Sequence, residues 1–167
     1  MKEGLIILGS SRSQGNTRKV VDALRERTGW DFVDLNDKQI GYYDYEYRNA
    51  GDDFIPLMEQ LVEYKRVVFV TPVYWYSMSA VMKTFFDRIT EVLKTRRDLR
   101  YALEKVAMGM LSSSESDDRI AGFEVPFRES AGYLRMPWLG DAHIWVEQGR
   151  LPLAAVGRLE DWLQELR

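Results

Sequence analysis

The chain has 167 residues, 46% hydrophobic and 29% charged, the size and balance of one globular domain with a sizeable core. Its formal charge of −3 and pI of about 5.3 suit neither a nucleic-acid surface nor an anionic membrane. It has no cysteine and one histidine, which excludes disulfides, cysteine-ligated clusters and thiolate nucleophiles and leaves little for a soft-metal site.

No apolar run approaches the ~20 residues of a membrane span. The chain enters its first strand directly after Met1–Gly4, with no leader pattern, so the cytoplasm is the default location. Leu5–Leu8 reads as a strand buried on both faces, because no polar residue alternates in it. A helix follows from Thr17 to about Arg27, with Val20, Val21 and Leu24 on one side. Asp31–Leu35 is a short second strand that breaks at Asn36-Asp37. A polar, tyrosine-rich stretch then runs to Asp53, long enough to expect a function of its own. The next helix covers about Phe54–Tyr64, with Pro56 tolerated in its first turn. Val67–Val70 is the core of a third strand over Arg66–Thr71. A helix from about Ser79 to Lys94 follows, its stripe being Val81, Met82, Phe85, Phe86, Ile89, Val92 and Leu93. Val106–Leu111 is a fourth strand, Gly122–Leu134 holds a helix, His143–Val146 is a fifth strand, and Leu159–Leu166 belongs to a closing helix.

Five strands joined by helical crossovers imply one α/β domain with a parallel sheet covered on both faces. Ligands in such folds sit at the carboxyl ends of the strands. Three segments there carry chemistry. The first is Gly9-Ser10-Ser11-Arg12-Ser13-Gln14-Gly15-Asn16-Thr17. A strand breaking into a small-residue loop and then a helix start offers free N–H groups and a positive dipole end to a phosphate. Arg12 adds a charged fork. The glycine spacing matches neither the Rossmann nor the Walker fingerprint. The plainer reading is a helix cap by Ser13, Asn16 or Thr17.

The second segment is Thr71-Pro72-Val73-Tyr74-Trp75-Tyr76-Ser77-Met78-Ser79. Its aromatics suit a flat heteroaromatic ligand, and equally a core or interface. The third is Ser112-Ser113-Ser114-Glu115-Ser116, read as a loop with hydroxyls for the polar end of a ring, or simply as a solvated loop. His143 reads as structural at a strand start. Ser112–Ser114 with His143 is no hydrolase triad, because no G-x-S-x-G elbow exists. Lys83 and Asp87 read as a surface ion pair. Glu115–Asp118 reads as a charge cluster at a helix start.

Together these segments resemble the flavodoxin-like NAD(P)H-dependent FMN reductase and quinone reductase group. Gly9–Arg12 with Gly15-Asn16-Thr17 looks like the family's FMN phosphate loop, and Thr71–Trp75 with Ser77–Ala80 like its isoalloxazine loop. The resemblance implies a three-layer sandwich with strand order 2-1-3-4-5. It implies phosphate contacts at Ser10, Arg12, Gly15, Asn16 and Thr17, and ring contacts at Pro72, Val73, Tyr74, Trp75, Tyr76 and Ser77. By position, Ser112, Ser113 and Ser114 would face the pyrimidine side. It implies bound FMN, NAD(P)H as co-substrate, a small-molecule acceptor and a homodimer. Backbone amides near Tyr74–Ser77 would stabilise charge on the reduced ring. The chain departs from the family in its third loop, where many relatives have glycines. It departs again at Tyr42–Tyr47, where some relatives carry cluster cysteines; this stretch is expected either to cover a neighbouring subunit's flavin or to be a plain surface flap. A flavodoxin-type electron carrier and a redox-inactive phosphate-binding module are the alternatives from other classes.

Overall fold

The apolar runs become strands with both faces covered. In the computed structural model, which describes residues 1–166, the elements alternate. They are β1 (Leu5–Leu8), α1 (Asn16–Thr28), β2 (Asp31–Asp34), α2 (Phe54–Leu61), β3 (Arg66–Pro72), α3 (Ala80–Thr95), α4 (Arg97–Leu103), β4 (Ala107–Ser113), α5 (Val125–Leu134), β5 (Trp138–His143) and α6 (Leu153–Glu165). The five strands form one parallel sheet in the order β2-β1-β3-β4-β5. This is the flavodoxin-like order, and it puts a switch point where the chain leaves β1 for β2 on one side and β3 on the other.

Period two divides the core between the two faces. Leu5, Ile7, Val67, Phe69, Met108 and Met110 pack under α2, α3, α4 and α5. Ile6, Leu8, Val68, Val70 and Leu111 pack under α1 and α6. A strand serving two cores has no polar position, which is why β1 reads LIIL and is wholly buried.

Two elements differ from the sequence reading. The fifth strand is Trp138–His143, not His143–Val146, so His143 ends it rather than starting it. It was illegible because it is irregular. Gly140 sits at φ 84, and the pairing with β4 shifts register between Met108 and Met110. The apolar run Ile144–Val146 lies beyond the strand, though the Ile144 and Val146 N–H groups still donate to the Ser112 and Ser114 carbonyls. The short helix α4 carries only Leu99 and Leu103 as buried residues, too few for a periodic signal.

Candidate functional site

The carboxyl ends of β1, β3 and β4 meet at one groove of about 590 Å³. Ser10, Arg12, Gly15, Asn16, Thr17, Pro72, Val73, Tyr74, Ser113 and Ser114 line it, together with Gln14 and Glu115. Ten of the expected contacts are therefore brought together. Trp75, Tyr76, Ser77 and Ser112 are not among the lining residues.

The β1–α1 loop is braced from both sides. Gly9 passes so close to α3 that an added Cβ would lie 2.8 Å from the Met82 Cβ. The Ser79 hydroxyl donates to the Gly9 carbonyl at 2.7 Å and accepts from the Met82 N–H at 3.1 Å, so one buried serine caps α3 and staples the loop. From the turn just after β2, the Asn36 amide donates to the Ser10 carbonyl and to the Ser13 hydroxyl. Ser10 is itself buried and accepts the Arg12 N–H at 3.3 Å.

The helix that follows is uncapped. Gly15 holds the N-cap position, no side chain accepts from the first turn, and no acid lies in that turn. Ser13, Asn16 and Thr17 do not act as the cap that the plainer reading required. The Arg18 N–H returns to the Gly15 carbonyl, and the Asn16 and Thr17 N–H groups are left to whatever enters the groove. Arg12 is exposed and has no acidic partner among the described residues.

The opposite wall is Pro72, Val73 and Tyr74, and Tyr74 opens a hairpin that carries two more aromatics beyond the lining. Tyr74–Ser77 is a two-residue hairpin closed by mutual backbone bonds at 2.9 and 3.1 Å. Its central residues, Trp75 and Tyr76, sit in the left-handed region at φ 48 and 64. Such a turn favours Asn and Gly, so two aromatics there store strain of roughly 1 kcal/mol or more each. Trp75 is 93% exposed, which rules out the core reading of this residue. The Tyr74 and Ser77 amides are used by the hairpin and the Val73 amide by the Ser113 carbonyl. Of the hairpin's own amides, those of Trp75 and Tyr76 remain to meet charge on a ligand.

The floor is the end of β4. Ser112 and Ser113 are buried strand residues, not the loop the sequence suggested. They point to opposite faces, as successive strand residues must. The Ser113 hydroxyl is buried with no partner among the described residues. Ser112 instead meets His143, whose Nδ1 lies 3.0 Å away. Glu115–Asp118 starts no helix, since α5 begins at Val125. Asp117 pairs with Arg158, and Asp118 accepts from Ser114 and Ser116. Lys83 and Asp87 do form an exposed pair.

The tyrosine-rich stretch is held by a feature the sequence reading missed. Arg88 is buried, three residues after Phe85 and four before Val92, so it lies in the apolar stripe of α3. A charge in such a stripe was the available signal. Its guanidinium binds Asp52 at 2.6 and 3.2 Å, Glu91 at 2.7 and 3.0 Å, and the Gly41 carbonyl at 3.0 Å. Burial pushes the Asp52 carboxyl up, but Arg88 and the Gly41 and Phe54 amides outweigh it and hold it below its ordinary value. The stretch thus has a fixed base, with Tyr42 and Tyr45 exposed at 79% and 86%.

Comparison with known proteins bears on the fold and the family. The chain is 31% identical over 107 residues to YwqN of Bacillus subtilis, named as an NAD(P)H-dependent FMN-containing oxidoreductase; the match covers 55% of this chain. It spans about half, 54%, of that relative's length. Among solved structures, the Trp repressor binding protein from Bacillus subtilis superposes with a TM-score of 0.74 at 20% identity, covering 99% of this chain and 98% of that one. An NADPH-quinone reductase from P. pentosaceus gives 0.67 at 18%, covering 97% and 96%. General stress protein 14 from Treponema denticola, solved in complex with FMN, gives 0.60 at 18%, covering 98% and 95%. These structural likenesses establish the fold. A sequence model of one family matches residues 3–150, most of the chain, and the chain therefore belongs to the NADPH-dependent FMN reductase family.

Proposed function

We propose that the chain is an FMN-dependent oxidoreductase that takes hydride from NAD(P)H and passes electrons to a quinone, flavin or similar small acceptor. The observation that carries this reading is one groove with an uncapped helix start, an unpaired arginine and an orphaned buried hydroxyl. Those residues fit FMN. The α1 amides and Arg12 suit a phosphate dianion. Pro72, Val73 and Tyr74 offer an apolar wall to a flat ring. Ser113 supplies a hydrogen bond whose absence would leave its hydroxyl unsatisfied. The volume lies in the usual range for a cofactor pocket.

When bound, FMN supplies the redox chemistry, accepting hydride from the nicotinamide and releasing electrons to the acceptor. The protein's part is placement. Ser79 and Asn36 fix the phosphate loop before the ligand arrives, so little ordering cost remains. The Trp75 and Tyr76 N–H groups are the free dipoles for negative charge at the ring. The acceptor would enter the groove after the nicotinamide leaves, which would give ping-pong kinetics.

We further propose a homodimer working in the cytoplasm. Its support is the α3–α5 surface, where Phe86, Ile89, Leu93, Tyr133 and Leu134 line a shallow groove of about 340 Å³, together with the exposed aromatics Tyr42, Tyr45 and Trp75. Among the described residues no helix is long and apolar enough to cross a membrane.

The test is an anaerobic titration of the FMN-loaded protein with NADH and NADPH, followed by an acceptor panel. Bleaching by a nicotinamide and reoxidation by an acceptor are expected. Bound FMN that neither nicotinamide reduces would leave an electron carrier in place of the enzyme.

A further inference from the structure

The segment after β5 ends in a second two-residue hairpin, and it stands beside the phosphate end of the groove. The Ile144 and Val146 N–H groups donate to the Ser112 and Ser114 carbonyls at 2.9 and 3.0 Å, so this segment follows β4 past its end. Glu147–Arg150 then turns back on itself, closed by the Arg150 N–H on the Glu147 carbonyl at 2.8 Å. Its central residues, Gln148 and Gly149, sit at φ 46 and 79. A glycine in the second of these positions is what such a turn favours, in contrast to Trp75 and Tyr76. The base of the hairpin is fixed as well. The buried Trp145 indole donates to the Glu147 carboxylate at 2.8 Å, and the Arg158 guanidinium lies over its ring at 4.8 Å.

The tip is tied to α1. Lys19 Nζ donates to the Gly149 carbonyl at 2.6 Å, across 130 positions of the chain. A Cβ at Gly149 would lie 3.0 Å from that amine, so a side chain there would push the amine away. Lys19 stands about one turn past Asn16, and long helical side chains lean back toward the helix start. The tip therefore lies against the early turns of α1, the helix whose Asn16 and Thr17 N–H groups are unused. Ser114 and Asn16 both line the groove. With its base beside Ser114 and its tip on Lys19, the hairpin runs from one of these walls to the other.

We propose that Lys19 is a positioning residue whose latch on Gly149 holds this hairpin as a strap across the phosphate end of the groove, so that the site takes a flavin ending in a monophosphate and rejects one that continues through a diphosphate to adenosine. This rests on the flavin reading. FMN and FAD share the ring, the ribityl chain and the first phosphate. They part at the second phosphate, which has to leave between α1 and the Ser114 segment, where the strap lies. On the other side, Asn36 holds the phosphate loop at Ser10 and Ser13. The ammonium charge does not itself discriminate, because each ligand carries about two negative charges there. The discrimination is steric, and it is set by where the latch holds the hairpin.

The experiment is calorimetric titration of the protein with FMN and with FAD. Wild type is expected to bind FMN at least about 100-fold more tightly. Lys19→Met releases the strap and should narrow that ratio about tenfold, with the affinity for FAD itself rising. Gly149→Ala keeps the ammonium and disturbs only the contact, and it should narrow the ratio in the same way. Lys19→Arg, which can still donate to the Gly149 carbonyl, should keep the wild-type ratio. A lysine acting only through its charge or the stability of α1 would weaken both ligands alike in Lys19→Met and leave the ratio intact, and that outcome overturns the proposal. Wild type that binds FMN and FAD equally overturns it while the flavin reading stands. A protein that binds neither flavin overturns both.

Discussion

The two walls of the groove are built on opposite rules. The β1–α1 loop has small residues wherever the backbone is crowded, with Gly9 against Met82 and Gly15 at the helix start, and its Ser10 and Ser13 hydroxyls are bonded to neighbours. The Tyr74–Ser77 hairpin puts its largest aromatics at the two positions where a side chain is least comfortable, and leaves them in solvent. One wall is preorganised, and the other holds strain and exposed apolar area. Strain that persists away from the core points to a use for the residues that bear it. The phosphate end thus owes its function to backbone order, and the ring end to side chains held out of their preferred conformation.

The largest expected effect comes from the buried ion cluster on α3, the helix whose Ser79 cap also staples the phosphate loop. Arg88→Met leaves Asp52 and Glu91 buried without their cation and should destabilise the fold by roughly 3–5 kcal/mol, seen as a lower urea midpoint. Both walls should loosen together in hydrogen exchange. If only residues 39–53 lose protection, the walls do not share a scaffold.

The next effect separates the walls. Arg12→Ala removes a charged donor from the phosphate end alone and should weaken FMN binding by about 10- to 100-fold, with turnover of the loaded enzyme nearly unchanged. A large fall in kcat at saturating FMN would mean that Arg12 acts at the ring. The reverse experiment is Trp75→Asn with Tyr76→Gly, which gives the hairpin the residues its backbone asks for. Stability should rise by about 1–2 kcal/mol while the KM for nicotinamide or acceptor worsens. No gain in stability would show that the aromatics are not strained.

The smallest effect is a pH slope. Burial makes folded His143 titrate below its ordinary 6.5, so the unfolded chain takes up its proton first. Its contribution is complete above 6.5 and is lost as the pH falls from there through the folded value. A thermal melt series from pH 7.5 to 5.0 should show this decline, and His143→Phe should flatten it. Wild-type and variant curves of equal slope would assign the decline to carboxylates instead.

What the sequence revealed follows the same division. The sheet was readable because β1 and β3 serve two cores and so show unbroken apolar runs. The phosphate loop was readable because its chemistry lies in consecutive residues. β5 was misplaced because Gly140 and Asp141 interrupt its pattern, and because Ile144–Val146 look more like a strand than the strand does. Ser112 and Ser113 were read as loop because polar residues at a strand end give no period. The Arg88 cluster joins residues 36 positions apart, and the Ser79 staple spans 70. No local pattern encodes such partners.

The central claim is that a phosphate is gripped at the start of α1. The most direct measurement is the affinity of the purified protein for FMN against riboflavin, which shares the ring and lacks the phosphate. FMN should bind at least about 100-fold more tightly, and Arg12→Ala should shrink this gap. Equal affinity for the two flavins, unchanged in Arg12→Ala, would contradict it.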